Sequence, residues 1–248
     1  SVDIGHDNFD SACEALELGS VDMAVVDMAQ LIRMEKNDEN LPYGVVISGV
    51  LKRGDSRYVM IRNRHAKDLI ENAVVATDSY SKTERIKHMY DGISCVVETD
   101  IRKCIEKLDA SECDAVFVLL EDINAARLHN SFLYRYTIMD YGECVPVHGE
   151  GVYAMLTKGK KEAVRTAREL SHKSTAECFE IEDDIISRVM QNVYVKTCDV
   201  YARISSDRLE IYADVTGNRG RIRVNERGTF VNKNLIITKI VDRISKSM

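Results

Sequence analysis

VVATDSYSKTERIKHMYDGISCVVETDIRKCIEKLDASECDAVFVLLEDINAARL, residues 74–128, decides the fold. VVAT (74–77), ISCVVE (93–98) and DAVFVLL (114–120) are apolar runs of strand length, rich in β-branched residues. Between them, SKTERIKHMY (81–90) places Ile86 and Met89 three residues apart. DIRKCIEKLDAS (100–111) puts Ile101, Ile105 and Leu108 on one helical face and charges on the other, and EDINAARL (121–128) continues as helix. Short apolar runs alternating with amphipathic helices predict a parallel sheet with right-handed crossovers. Ligands of such sheets bind beyond the carboxyl ends of the strands. The positions to watch are Asp78–Lys82, Glu98–Cys104 and Glu121–Asn124.

Upstream, residues 1–19 read as a lead-in and a helix, with Asp7 or Asn8 as its cap, Phe9, Cys13 and Leu16 facing inward, and Gly19 as its stop. VDMAVV (21–26) reads as a buried strand, DMAQLIRME (27–35) as a short helix, LPYG (41–44) as a turn, and VVISGVL (45–51) and YVMI (58–61) as strands around the charged KRGDSR (52–57). Downstream, YRYTIM (134–139) and GVYAML (151–156) read as strands, and 160–190 as two helices broken near His172–Ser174. VYARIS, LEIYADV and RIRVNE, within 200–226, alternate apolar and polar residues across SSDR and GNRG, which predicts an antiparallel meander with one wet face. FVNKNLIITKIVDRI closes the chain as a helix. The expected class is α/β, with a smaller α+β domain at the end.

The chain has 248 residues, 45% hydrophobic and 30% charged, an ordinary soluble composition large enough for two or three domains. A net charge of −6 without a basic stripe excludes a general nucleic-acid binder; the run KGKK (158–161) reads as a solvated loop. No apolar run approaches the roughly 18 residues of a membrane span, and the polar, acidic opening is no signal peptide. Seven scattered cysteines without a CxxC pair fit reduced thiols in the cytoplasm better than a disulfide framework, and neither they nor the six dispersed histidines have zinc-site spacing.

The order of elements resembles the porphobilinogen deaminase (hydroxymethylbilane synthase) family. GHDNFDSACEALELGSVDMAVVDMAQL (5–31) is similar to the stretch leading into that family's catalytic-aspartate loop, and GVLKRGDSRYVMI (49–61) to its hinge and entry to the second domain. ATDSYSK (76–82) sits at its Thr-Ser-Ser-x-Arg-Arg substrate loop; KLDASECDAVFVLLEDINAARL (107–128) keeps its Lys-Leu, Asp-Ala and Arg-Leu frame. VPVHGEGVYAM (145–155) resembles the return strand with its Gly-Gln-Gly, and LSHKSTAECFEIEDD (170–184) the helix opening the third domain. The resemblance implies two periplasmic-binding-protein-like three-layer α/β domains and a small α+β domain. The expected boundaries are 1–49 with 144–165, 50–143, and 166–248. The family's first strand, first helix and second strand have no counterpart ahead of Ser1, so the first domain is expected to be incomplete.

The family's chemistry, again by resemblance, uses a cysteine thioether to a dipyrromethane primer, an aspartate that assists deamination of porphobilinogen, and arginines that hold its carboxylates in bidentate pairs. Here Gln30 stands at the aspartate's position and cannot exchange a proton at neutral pH. Asp27, three residues earlier, reads either as a substitute or as a helix cap. Ser81 and Lys82 replace the arginine pair; Thr77, Ser79 and Lys82 are the residues left for an anionic ligand. Glu98 and Asp100 fall in the Arg-Gly-Asn-x-x-Thr-Arg-Leu segment and invert its charge. The cofactor cysteine's place is Val193 or Tyr194, so no dipyrromethane is expected; Cys198 is either a relocated attachment point or a buried thiol.

Arg53 and Arg57 are expected in structural salt bridges. His148 and Glu150 read as pocket lining or as turn chemistry around Gly149 and Gly151. Glu180, Glu182, Asp183 and Asp184 read as a solvated acidic helix face. Three functions follow: a catalytically degraded member of the tetrapyrrole pathway, a non-catalytic subunit whose open first sheet a partner chain completes, or a module binding another small molecule, a cation given Glu98 and Asp100, in the interdomain cleft.

Overall fold

The computed structural model describes residues 9–37, 40–66 and 72–248; the caps expected at Asp7 or Asn8 lie outside them. The chain forms two compact units, Ser1–Gly54 with Val147–Met248, and Asp55–Pro146.

The first unit begins with α1 (Phe9–Glu17), β1 (Met23–Asp27), α2 (Met28–Lys36) and β2 (Val45–Val50). Phe9, Cys13 and Leu16 are the buried face of α1, and Gly19 follows its end with φ 68°, in the left-handed region where glycine ends helices without strain.

The second unit holds β3 (Tyr58–Asn63), β4 (Val74–Thr77), α3 (Tyr80–Lys87), β5 (Ser94–Val97), α4 (Ile101–Asp109), β6 (Ala115–Leu119), α5 (Leu120–Ala126) and β7 (Tyr134–Ile138). Its five strands are ordered β5-β4-β6-β3-β7. β4 runs parallel to β5 and β6, as the alternating pattern predicts, while β3 pairs antiparallel with β6 and β7. β6 is buried at every position because it is central and covered on both faces. Alternate strand residues split into two cores. Val59, Ile61, Ala76, Val116 and Val118 pack with Cys104, Ile105 and Leu108 of α4. Tyr58, Met60, Val75, Ala115 and Phe117 pack with Ile86 of α3. The result is three layers, helix, sheet, helix.

The chain then adds β8 (Tyr153–Lys158), α6 (Lys161–Leu170), α7 (Lys173–Val189), β9 (Val195–Ser205), β10 (Arg208–Gly217), β11 (Gly220–Thr229) and α8 (Lys233–Ser247) to the first unit. β8 is the middle strand of the order β1-β8-β2 and antiparallel to both neighbours. Ala24, Val26, Ala154 and Leu156 face α1 and α2, whereas Met23 and Met155 face Ala167 of α6, so three layers recur. β9, β10 and β11 form the expected antiparallel meander. Its inner face, including Cys198, Val200, Leu209, Ile211 and Val215, is covered by Cys178, Ile181 and Ile185 of α7 and Ile236, Ile237 and Ile240 of α8. The opposite side of α7, at Ala176 and Phe179, packs against the β1-β8-β2 core, so one helix serves both cores of this unit. The α/β architecture with an α+β end is as the residues imply.

Gly149 lies where the return segment meets α2. Its φ is 85°, and a β-carbon there would lie 2.6 Å from Ile32 Cδ1 and 3.0 Å from Ala29 N. Gly149→Ala is expected to destabilise the protein by about 1–3 kcal/mol, since backbone strain and overpacking act together. Urea unfolding of the variant measures this.

Candidate functional site

In the second unit, β4 ends at Thr77, Asp78 follows it, and α3 starts after Ser79. Thr77 is fully buried and its Oγ1 lacks a hydrogen-bond partner, a cost normally met by a ligand or water. Ser79 is the N-cap of α3 but makes no side-chain bond to the helix N–H groups; its Oγ lies 3.1 Å from Ser81 Oγ. Lys82, one turn into α3, is buried, and its Nζ donates to both carboxylate oxygens of Asp78 at 2.6 and 2.7 Å. Asp122, in the first turn of α5, lies 3.7 Å away. Two carboxylates therefore face the cation that sequence reasoning assigned to an anionic ligand.

Beside it, Asp100 caps α4, accepting from Arg102 N at 2.9 Å. Cys104 Sγ donates to Glu98 O at 3.3 Å. Burial, reinforced by the Asp78 and Glu98 carboxylates, pushes the Cys104 thiol up to about 12, so it stays protonated at neutral pH and is no nucleophile. The strand ends are thus rich in carboxylates whose roles are capping and pairing.

In the first unit, Asp27 is the N-cap of α2 and accepts from Gln30 N at 2.9 Å. The two residues assigned to the family's catalytic loop thus bond to each other through a helix cap. Val193 and Tyr194, in the turn between α7 and β9, are exposed, Val193 to 85%. Cys198 is 7% exposed and belongs to the meander's inner core. The residues present do not fit a thioether-bound dipyrromethane: the turn offers no thiol, and the one nearest it in sequence faces hydrophobic side chains.

The expectation for Glu182 needs correction. It is fully buried on α7, not solvated with Glu180, Asp183 and Asp184. Arg53 donates to both its oxygens at 2.5 and 2.9 Å, and Ala202 N donates to Oε1 at 2.7 Å. Arg53 also donates to Ala202 O at 3.3 Å and stacks over the Tyr201 ring at 4.9 Å. Burial pushes the Glu182 carboxyl up, but the charge and hydrogen bonds of Arg53, aided by His148, outweigh it and hold the group below the ordinary range. His148 Nδ1 lies 3.4 Å from Glu182 Oε2, and its ring stacks on Phe179 with centroids 4.7 Å apart.

Glu150 accepts from Val147 N at 3.2 Å, so it serves the turn. Arg57 pairs with Asp55 at 2.6 Å, an expected salt bridge, as is that of Arg53. One signal for Glu182 was present in the sequence: positions 178, 181, 182, 185 and 189 form one helical stripe, and Glu182 interrupts its apolar residues.

A sequence profile described as "Porphobilinogen deaminase, dipyromethane cofactor binding domain" matches residues 9–166. The chain belongs to the porphobilinogen deaminase family. A probable porphobilinogen deaminase of Picrophilus torridus is 23% identical over 176 residues, 68% of this chain and 61% of the relative. The porphobilinogen deaminase of Clostridium acetobutylicum is 21% identical over 218 residues, covering 82% and 74%. The chain thus spans about three fifths of the length of the first of these family members. Among solved structures, the periplasmic VFT2 domain of Bordetella pertussis BvgS is 16% identical with TM-score 0.45 over 67% of this chain and 68% of that one. An ancestral arginine-binding protein bound to glutamine is 13% identical with TM-score 0.46 over 72% and 76%.

Arg53→Met is expected to cost about 3–5 kcal/mol, because it leaves a buried carboxylate unpaired. The sign with pH follows from the depressed carboxyl of Glu182. The stabilisation is present above the ordinary glutamate value, about 4.3, and is lost as pH falls through the lower folded-state value. Denaturant unfolding at pH 7 and at pH 3 should therefore give a wild-type-to-variant gap that narrows in acid.

Proposed function

We propose that this chain is a non-catalytic member of the porphobilinogen deaminase family. It keeps the scaffold of the tetrapyrrole-pathway enzyme and does not polymerise porphobilinogen to hydroxymethylbilane. The observation that supports the reading is that the turn between α7 and β9, where the resemblance puts the cofactor cysteine at Val193 or Tyr194, is exposed and holds no cysteine, while Cys198 is buried in the core. Without a primer the family reaction has no covalent anchor. Two further arrangements point the same way. Asp27 is engaged as a cap on Gln30 N, and a neutral amide cannot substitute for a proton-exchanging carboxylate. At the strand ends of the second unit, the buried cation of Lys82 is already paired with Asp78, so the carboxylates of porphobilinogen would compete with an internal one. Thr77 and Ser79 remain the groups for a small ligand there, with the orphaned Thr77 hydroxyl as its marker.

A second reading has its own observation. β1 pairs with β8 on one side, and among the described residues no strand pairs with its other side. A non-catalytic subunit whose β1 edge is completed by strands of a partner chain would close that edge. Residence in the cytoplasm accords with seven cysteines that form no disulfide. Among the described residues no helix is long and apolar enough to cross a membrane.

The intact mass of the purified protein, before and after incubation with porphobilinogen, tests the reading. The bare chain mass in both samples is expected. A two-pyrrole adduct, or a ladder of pyrrole additions, would overturn it, and peptide mapping would then place the attachment. A partner retained in fixed stoichiometry in native mass spectra would favour the subunit reading.

A further inference from the structure

We propose that the open edge of β2, walled by α6, receives an extended peptide segment of a partner protein carrying acidic side chains at alternate positions. Among the described residues β2 is a terminal strand of the order β1-β8-β2. Its far end is closed, because His172 N donates to Val50 O at 2.8 Å and Val50 N donates to Ser171 Oγ at 3.1 Å. At its near end, Val45 N donates to Pro42 O at 3.0 Å. Between these closures, Val46 and Ile47 are 48% and 43% exposed. Adjacent strand residues point to opposite sheet faces, so each marks a different face of the edge.

On the Val46 side lies an open trough of about 630 Å³, lined by Gly44, Val46 and the α6 residues Lys161, Val164, Arg165 and Arg168. These α6 positions are spaced i, i+3, i+4 and i+7 and form one helical stripe. On the Ile47 side is a small notch formed with Leu31, Met34, Glu35 and Leu41. An edge strand beside a basic trough has what strand addition requires: main-chain groups for affinity and charged side chains on one face for specificity.

Charge and spacing select the occupant. Among the described lining residues, Lys161, Arg165 and Arg168 outnumber Glu169, which lies 3.9 Å from Arg165, in a chain whose net charge is −6. The stripe from 161 to 168 runs for roughly 10 Å, about three residues of extended chain. Cations one helical turn apart lie roughly 5–6 Å apart, while alternate side chains of a strand repeat at about 6.7 Å, close enough for flexible side chains to pair. Acids at alternate positions would meet α6, and the intervening apolar side chains would cover the exposed Ile47. The irregularity in the β2–β8 register between Ile47 and Gly49 limits pairing to a short segment.

The test is fluorescence anisotropy with a labelled, capped peptide Glu-Val-Glu-Val-Glu, with Lys-Val-Lys-Val-Lys and a backbone N-methylated acidic peptide as controls. The acidic peptide should bind saturably, weaken with added salt, and lose affinity roughly tenfold against Arg165→Glu/Arg168→Glu. Both arginines are exposed, so the variant should fold, which circular dichroism checks. N-methylation should weaken binding by removing a main-chain donor. Absence of saturable binding, indifference to the double substitution, or equal binding of the N-methylated peptide would each overturn the proposal. Concentration-dependent self-association abolished by the same substitutions would also overturn it, assigning the edge to a second copy.

Discussion

A buried carboxylate held by one guanidinium organises the first unit. Glu182 has no contact with solvent, so its charge persists only because Arg53 meets both oxygens and the Ala202 N–H meets one. The geometry ties together three separate stretches of chain. Arg53 lies in the segment leaving β2, Glu182 lies on the helix serving both cores, and Ala202 lies on β9, an edge strand of the meander. The same contacts cover part of the β9 edge, which would otherwise offer main-chain groups to another strand. His148, stacked on Phe179, brings the return segment to the same carboxylate. The ion pair need not exceed an apolar replacement in stability. Its strength as a constraint is that either partner buried alone is strongly destabilising, so the three segments are favoured to arrive together.

The rest of the molecule divides between residues that keep the fold and residues that the fold has absorbed. Gly149 with positive φ and the alternating cores on both faces of the five-stranded mixed sheet hold the architecture. By contrast, polar groups at the positions that the resemblance assigns to the family site are engaged within the chain. Asp27 caps α2, Asp100 caps α4, and Lys82 is engaged by Asp78 and Asp122. A carboxylate accepting from helix N–H groups, or an ammonium enclosed by carboxylates, is stabilising in place and correspondingly unavailable to a substrate.

Periodicity made most of the fold legible, because strands buried on both faces and helices buried on one write different patterns. VVAT, ISCVVE and DAVFVLL are read directly as β4, β5 and β6, and the alternation from 200 to 226 as the meander. What periodicity could not supply was the antiparallel placement of β3 between β6 and β7, since strand order depends on non-local pairing. The site was less legible for a related reason. Cap or substitute for Asp27, and buried thiol or attachment point for Cys198, differ only in which neighbours arrive from elsewhere. Glu182 was misread because one acid among Glu180, Asp183 and Asp184 looks solvated until its place on the Cys178–Ile181–Ile185 stripe is counted. The pairing of His148 with Glu182 and Phe179 left no local signal, because these partners lie on α7, distant in sequence.

The central claim is that a family scaffold persists here without the family's chemistry. The most direct measurement is the release of ammonia from porphobilinogen by the purified, folded protein, compared with buffer and with the same protein after thermal unfolding. The account predicts a rate indistinguishable from buffer in both samples. Catalytic release by the folded protein that vanishes on unfolding would contradict it, and would require a proton-exchanging group and a covalent anchor among residues assigned here to caps, pairs and core.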